Sequence, residues 1–390
     1  MAADRVRSGF GEDRRGLLKK VLVLGTAAPL AGALAGVQTA MGQQRSTLRR
    51  SLAQAGLSSQ QMAGQRVVFS YPGLTVPSAL LQQITAGEAA GVIFFGENIS
   101  SDAQIASVVQ QLRQAQQQSP VPSPLLLMTD QEGGLVRRLP GEPVLSEKQI
   151  GQSADPPAAA SQAGTGAGQN LAGVGMNLNL APVLDVFCKS GNFIDQYQRS
   201  YSNDAQIATS CGQAFITAQQ QTGVAATAKH FPGLGSATKS QNTDTGPVTL
   251  KVSLSTLRSK DEAPYPAATA AGVKLVMASW AIYPAFDRTF PAGLSSAVVQ
   301  GELRGRLGYQ GVTITDALEA GALAAFGTSA QRAVLAAQAG MDLILCSARD
   351  VTQGQAVTAG LASALDSGQL NSADFTAAVQ RVTALRAGLQ

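Results

Sequence analysis

The chain has 390 residues, 45% of them hydrophobic, enough to bury one large core or two ordinary ones, which excludes a disordered chain. Its formal charge is +4, but residues 1–42 hold six Lys or Arg against three Asp or Glu, and the remainder is nearly balanced at 23 against 22. No basic face of the kind a nucleic-acid binder needs follows from that balance, and nucleic acid is set aside as a partner.

The first element is a leader. DRRGLLKK from Asp13 to Lys20 precedes an uncharged apolar run from Val21 to Ala40 with small residues near its end. Paired Arg14 and Arg15, an Ala- and Gly-rich segment and options such as Ala33-Leu34-Ala35 describe a twin-arginine-type export signal over residues 1–42. The alternative is an uncleaved membrane anchor, since about 20 apolar residues span a bilayer; any membrane contact would be through that leader. Export would permit a disulfide, and Cys188 with Cys211 is the nearer pair, but three cysteines leave one over. Cys346, inside the apolar run DLILC, reads as a buried thiol. Residues 43–64, polar and rich in Gln and Ser, read as a linker or a first helix.

From residue 65 onward one rhythm repeats: a short apolar run ending in polar or glycine residues, then a longer Ala- and Gln-rich stretch with helical spacing. The runs are RVVFSYPG, GVIFFGEN, LLLMTDQEGG, MNLNLAPVLDV, AATAKHFPG, KLVMASWAIYP, GVTITDALEAG and DLILCS. Apolar strands alternating with helices predict a parallel sheet covered on both faces, and eight such units fit a single-domain (β/α)8 TIM-type barrel over residues 65–390. A doubly wound open sheet is the competitor. Its G-x-G-x-x-G fingerprint would follow the first strand, and YPGLTVPS does not match it.

The polar residues fall where a barrel enzyme would need them. Asp130, Asp185, Lys229, His230 and Asp316 lie at or just past the C-terminal ends of the apolar runs. DQEGGLVRR packs two acids, two glycines and two arginines into residues 130–138. There Asp130 can accept hydrogen bonds from sugar hydroxyls and Arg138 offers a planar donor fork, though an ion pair closing the barrel mouth is the plainer account. Asp316 ends a β-branched strand with no other charge; such a carboxylate can attack an anomeric carbon, or simply cap a helix. The chain's one histidine, His230, follows Lys229 ahead of a glycine-rich polar loop.

Taken in order, GVIFFGEN, DQEGGLVRRLP, GMNLNLAPVLDV, QRSYSND, AKHFPG, VMASWAIYPAFD and LRGRLGYQGVTITDAL resemble glycoside hydrolase family 3, in its single-domain bacterial β-N-acetylglucosaminidase branch. The resemblance runs from about residue 65 to 350. It implies a catalytic nucleophile at Asp316 and a sugar subsite contacted by Asp130, Arg138, Arg199, Lys229 and His230, with no metal or organic cofactor. The plainer account of Lys229 and His230 is a satisfied polar pair capping a strand.

The loop after KHFPG departs from that branch. There the acid/base is a His paired with an Asp two residues earlier, and those positions fall on Asn242 and Ser240. Leu234 and Ser236 also replace polar residues, and Trp280 stands where the family usually has a His. Asn242 cannot supply a proton near neutral pH, whereas Asp244 can, given an environment that raises its pKa. Asn, Thr, Asp and Gly are equally the residues of a surface turn. The expected function is a retaining glycoside hydrolase acting as a monomer on β-linked N-acetylglucosaminyl or related β-glycosides, such as cell-wall fragments, with Asp316 and Asp244 as catalytic residues. The alternative is a sugar-binding protein that keeps the subsite with little turnover. Transfer to phosphate is disfavoured, because the Asp244 carboxylate would repel an anionic acceptor. Replacing Arg14 and Arg15 together by Lys should abolish export, and mass spectrometry of secreted wild type should place the mature N-terminus between about Ala35 and Arg45, not at Met1.

Overall fold

A computed structural model describes residues 56–389. The proposed export signal and most of the 43–64 segment lie outside those residues; within it, Ser59–Gly64 (α1) is a helix, its first turn closed by a reciprocal cap between Ser58 and Gln61.

All eight expected runs form strands. They are Val67–Phe69 (β1), Gly91–Ile93 (β2), Leu126–Thr129 (β3), Leu178–Asn179 (β6), Ala225–Phe231 (β7), Leu275–Ala278 (β8), Val312–Thr315 (β9) and Ile344–Leu345 (β10). The labels β4 (Gln131–Gly133) and β5 (Val136–Arg137) belong to a small antiparallel hairpin beyond β3. The eight pair in parallel in the order β10-β1-β2-β3-β6-β7-β8-β9, and a bridge between Ile314 and Leu343 joins the two ends into a barrel. Every residue of β3, β8 and β9 is buried, which is why these segments read as unbroken apolar runs.

Helices follow the strands in turn: Ser78–Thr85 (α2), Asp102–Gln117 (α3), Pro156–Gly173 (α4), Ala205–Gln221 (α5), Pro264–Ala270 (α6), a π-helical turn over Ala297–Arg306, Ser329–Ala339 (α7) and Val351–Asp366 (α8). None of the described helices is long and apolar enough to cross a membrane. The barrel interior is filled by Val68, Leu126, Met128, Leu178, Leu275, Met277, Ile314 and their neighbours. It is therefore a packed core and not a pore. Cys188 is exposed, Cys211 and Cys346 are buried, and all three are unbonded, so the Cys188–Cys211 pair weighed from the sequence does not form. Cys211 sits on the inward face of α5 in an apolar cluster.

A last helix, Ser372–Ala387 (α9), crosses the N-terminal end of the barrel and contributes Val382 to the interior cluster. Asp342, fully buried just before β10, gathers that end. It accepts from Arg304 at 2.6 Å, from Arg381 at 2.8 Å and from the Thr313 amide at 2.9 Å. This mouth is closed by paired charges, leaving the opposite, C-terminal mouth for the polar residues. Asp342→Ala would leave two arginines facing an emptied buried site, and the unfolding free energy from urea titration should fall by about 3–5 kcal/mol.

Candidate active site

The C-terminal mouth is built outward from three buried amides. Gln131 and Asn179, on neighbouring segments, exchange hydrogen bonds at 2.9 and 3.1 Å, and Asn179 also donates to the Gln219 side chain at 2.8 Å. The Gln131 side chain accepts from the amides of Arg138 and Leu139, both at 3.0 Å, and donates to the Leu139 and Glu142 carbonyls. Gly133 and Gly134, at φ +112° and +54°, make the tight return between β4 and β5 that other residues would resist. Asp130 and Arg138 are thereby held at the two ends of one pinned hairpin, with 3.9 Å between their charged groups.

Next to Asp130 lies a fully buried carboxylate, Glu132. Arg199 binds it with both faces of its fork, at 2.9 and 2.8 Å, and Lys229 approaches it at 2.7 Å while reaching Asp130 at 2.8 Å. Burial alone would raise the Glu132 carboxyl; the charges and hydrogen bonds of Arg199 and Lys229 override it and hold the group at about 2. Burial would likewise strip the proton from Lys229, and Asp130 and Glu132 keep it there instead.

His230 follows directly. β7 shifts register between Lys229 and Phe231, which lets two consecutive side chains serve the same mouth. His230 Nδ1 lies 2.7 Å from Asp185, and Arg199 Nη2 stands 3.5 Å from Nε2. A carboxylate can only accept, so Nδ1 donates to Asp185 and Nε2 is the ring atom turned toward Arg199. The second Asp185 oxygen accepts from the amides of Leu234, at 2.6 Å, and His230, at 3.3 Å. Asp185 therefore orients both the imidazole and the start of the loop beyond it. The apolar Leu234 is buried and contributes its backbone here.

Asp316 sits immediately after β9, partly exposed, with one oxygen accepting from the Ala317 amide at 2.7 Å. Trp280 donates its indole N–H to the Ala317 carbonyl at 2.8 Å, so a buried aromatic side chain steadies the peptide next to that carboxylate. On the facing loop Ser240 is exposed, and Asn242 spends its side-chain oxygen on the Asp244 amide at 2.9 Å and its carbonyl on Thr245. Asn242 is thus the turn-forming residue. The Asp244 carboxyl is raised above its ordinary value, first by burial and next by the charge of Asp316, while Arg199 and His230 oppose the rise. It feels the strand-end carboxylate of Asp316 and the side chains of Arg199 and His230 at once.

The glycosyl hydrolase family 3 N-terminal domain profile matches residues 61–385. The chain belongs to that family. An "uncharacterized secreted glycosyl hydrolase" of Arthroderma benhamiae is 47% identical over 329 residues, covering 84% of this chain and 93% of the relative. A β-N-acetylhexosaminidase of Beutenbergia cavernae superposes with a TM-score of 0.77 at 33% identity over 85% of this chain and 99% of that one. A family 3 β-N-acetylglucosaminidase of Paenibacillus superposes at 0.80 with 34% identity over 85% of this chain, which spans 63% of the Paenibacillus protein. The protein is accordingly a glycoside hydrolase of family 3, similar in sequence and fold to β-N-acetylhexosaminidases.

Besides the substrate-binding and catalytic residues expected from sequence, the mouth of this family 3 barrel depends on Asp185, already placed at a strand end by the sequence, and on two buried acids, Glu132 and Glu147. Glu132 stands in the DQEGG motif and Asp185 at a strand end, so both were visible as charges without their partners being visible. Glu147 gave no signal. It accepts from the Val183 amide at 2.8 Å and is pushed well above the usual carboxylate range by burial and by Glu132. Among the described residues no group of three or more His, Cys, Asp or Glu side chains is arranged to hold a metal ion.

Behind His230, Asp261 is buried against Gly233, whose missing Cβ would fall 2.8 Å from that of Asp261. Burial first, and Asp185 second, push its carboxyl from 3.8 up to about 7. The folded chain therefore holds this proton more tightly than the unfolded one. Its contribution to stability is complete below pH 3.8 and disappears as pH rises through about 7. Asp261→Asn should flatten that decline: between pH 4 and pH 7.5 the unfolding free energy of the variant should drop less than that of wild type in parallel urea titrations.

Proposed function

We propose that this family 3 protein hydrolyses β-linked N-acetylglucosaminyl or related β-glycosides with retention, Asp316 acting as nucleophile and Asp244 as acid/base. The observation that carries the reading is the unequal environment of the two carboxylates. Asp316 accepts a hydrogen bond from the Ala317 amide, whereas the Asp244 carboxyl, on an exposed loop residue, is raised first by desolvation and then by the charge of Asp316, as a proton donor requires. In the first step Asp316 bonds to the anomeric carbon as the glycosidic C–O bond breaks and Asp244 protonates the departing oxygen. In the second, Asp244 takes a proton from water, which displaces Asp316 and frees the sugar.

Asp130, Arg138, Arg199, Lys229 and His230 are the groups that would bind the sugar. Their mutual bonding means that they are aligned before the substrate arrives, and alignment of this kind lowers the barrier. The β-N-acetylglucosaminidase name of the Paenibacillus protein supports the N-acetylglucosaminyl preference, and the β-N-acetylhexosaminidase of Beutenbergia and the β-hexosaminidase of Xylella fastidiosa, at 32% identity over 72% of this chain, support the wider N-acetylhexosaminyl class. The leader and the secreted Arthroderma relative support export. The competing reading, a sugar-binding protein with little turnover, draws on the exposed Ser240 and the turn-bound Asn242, which leave no histidine on this loop.

Kinetics separate the two. Asp316→Asn should abolish turnover yet keep measurable sugar binding. Asp244→Ala should slow hydrolysis of poor leaving groups by about 10²–10⁴-fold, with added azide rescuing activated aryl glycosides. A wild-type protein that binds the sugar and cleaves not even aryl glycosides would decide for the binding protein, and unchanged rates in Asp244→Ala would remove Asp244 from the mechanism.

A further inference from the structure

Asp244 belongs to the loop after β7 and Asp316 to the loop after β9, and these loops are bonded to each other through backbone. The Gly321 amide donates to the Asp244 carbonyl at 2.8 Å, and the next amide, of Ala322, donates to the Thr243 carbonyl at 2.9 Å. Thr243 is buried beneath this contact although its neighbours on both sides are not. A Cβ on Gly321 would lie 2.6 Å from the Thr245 carbonyl carbon, 2.7 Å from its oxygen and 2.9 Å from the Asp244 oxygen. These are main-chain atoms, which cannot rotate aside as a side-chain end would. Gly321 is not among the glycines with positive φ, so its backbone angles are open to any residue. Closeness of approach is what calls for glycine here.

We propose that Gly321 is a positioning residue, and that the segment Asp316–Ala322 sets the separation of the two carboxylates by carrying one of them and seating the backbone of the other. The proposal rests on the reading of Asp244 as acid/base. One end of the segment is fixed by the Trp280 bond to the Ala317 carbonyl, the other by the two amides that receive the Asp244 loop. A carboxyl pair acting through a covalent intermediate works at about 5–5.5 Å, and a displacement of about 1 Å at such a site costs rate far beyond its effect on stability. The turn made by Asn242 shapes the loop from within; Gly321 determines where that shape is placed.

The test is Gly321→Ala in the full-length mature protein, with aryl β-N-acetylglucosaminides of graded leaving groups and with trypsin, for which Lys239 in the same loop is an exposed site. The variant should lose about tenfold or more on phenyl-type leaving groups, stay near wild type on dinitrophenyl substrates with azide, and lose the pH limb that belongs to Asp244. Cleavage after Lys239 should quicken. Asn242→Ala, which removes the acceptor for the Asp244 amide but adds no bulk, should move every readout the same way by less, and it carries the test should Gly321→Ala not fold. Unchanged leaving-group dependence with unchanged cleavage at Lys239 would overturn the proposal. So would an equal loss on every substrate, which would place the effect on Asp316. Quickened cleavage with unchanged kinetics would leave the seating intact and refute instead the acid/base role of Asp244.

Discussion

The mouth of the barrel depends on one buried carboxylate. Glu132 has no solvent to stabilise its charge, and an ion of that size moved unpaired into a protein interior costs several kcal/mol. Arg199 and Lys229 meet it with three short contacts, Lys229 being buried itself and Arg199 half-buried. Removing either cation would leave part of the buried Glu132 charge uncompensated. Because Lys229 also bonds Asp130, and Arg199 also faces His230, the requirement that Glu132 be neutralised aligns the groups proposed to bind the sugar.

Charge balance then separates the acids by role. Glu132 is ionised because two cations surround it, while Glu147, close enough to feel Glu132 and given only one amide, is pushed toward its neutral form. Asp185 is spent on an imidazole and two amides. Among the described residues Asp316 and Asp244 are not paired with a cation either, and Glu319, whose charge reaches Asp244, is bonded to Ser347 and Gln353. The same chemical group, placed in surroundings of different polarity and charge, serves as structural anion, buried neutral acid, orienting partner and candidate reactant.

Scaffold and reactive loops are stabilised differently. The eight strands and the amide chain Gln131–Asn179–Gln219 are buried throughout, so Asp130, Arg138 and Lys229 stand on parts of the molecule that move little. The outer part of the loop carrying Asp244, residues 238–246, is held by its own turns, the amides of Gly321 and Ala322, and a bond from Gln196 to the Lys239 carbonyl. Under the proposed mechanism, such a division places rigidity under the sugar and leaves freedom near the leaving group, where product must depart.

The sequence by itself determined the alternation of strands and helices and the ends of the strands at which chemistry is found. Strands buried on both faces must be apolar without interruption, so LLLMT and VTIT announce themselves, and a lone Asp or a Lys-His pair at their ends stands out against that background. The absence of a histidine at 242 and the presence of Asp244 were legible for the same reason, being matters of residue type. Partnership was not legible. Glu132 and Arg199 are 67 positions apart, and Gly321 meets a loop nearly eighty residues before it, at distances that only the closing of the barrel decides. The electrostatic state of each acid follows from those partners, because burial and neighbouring charge act through space and not along the chain. Tertiary structure alone therefore decided that Glu132 is the buried anion on which the mouth is assembled, that Asn242 forms a turn, and that the loop bearing Asp244 rests on the loop bearing Asp316.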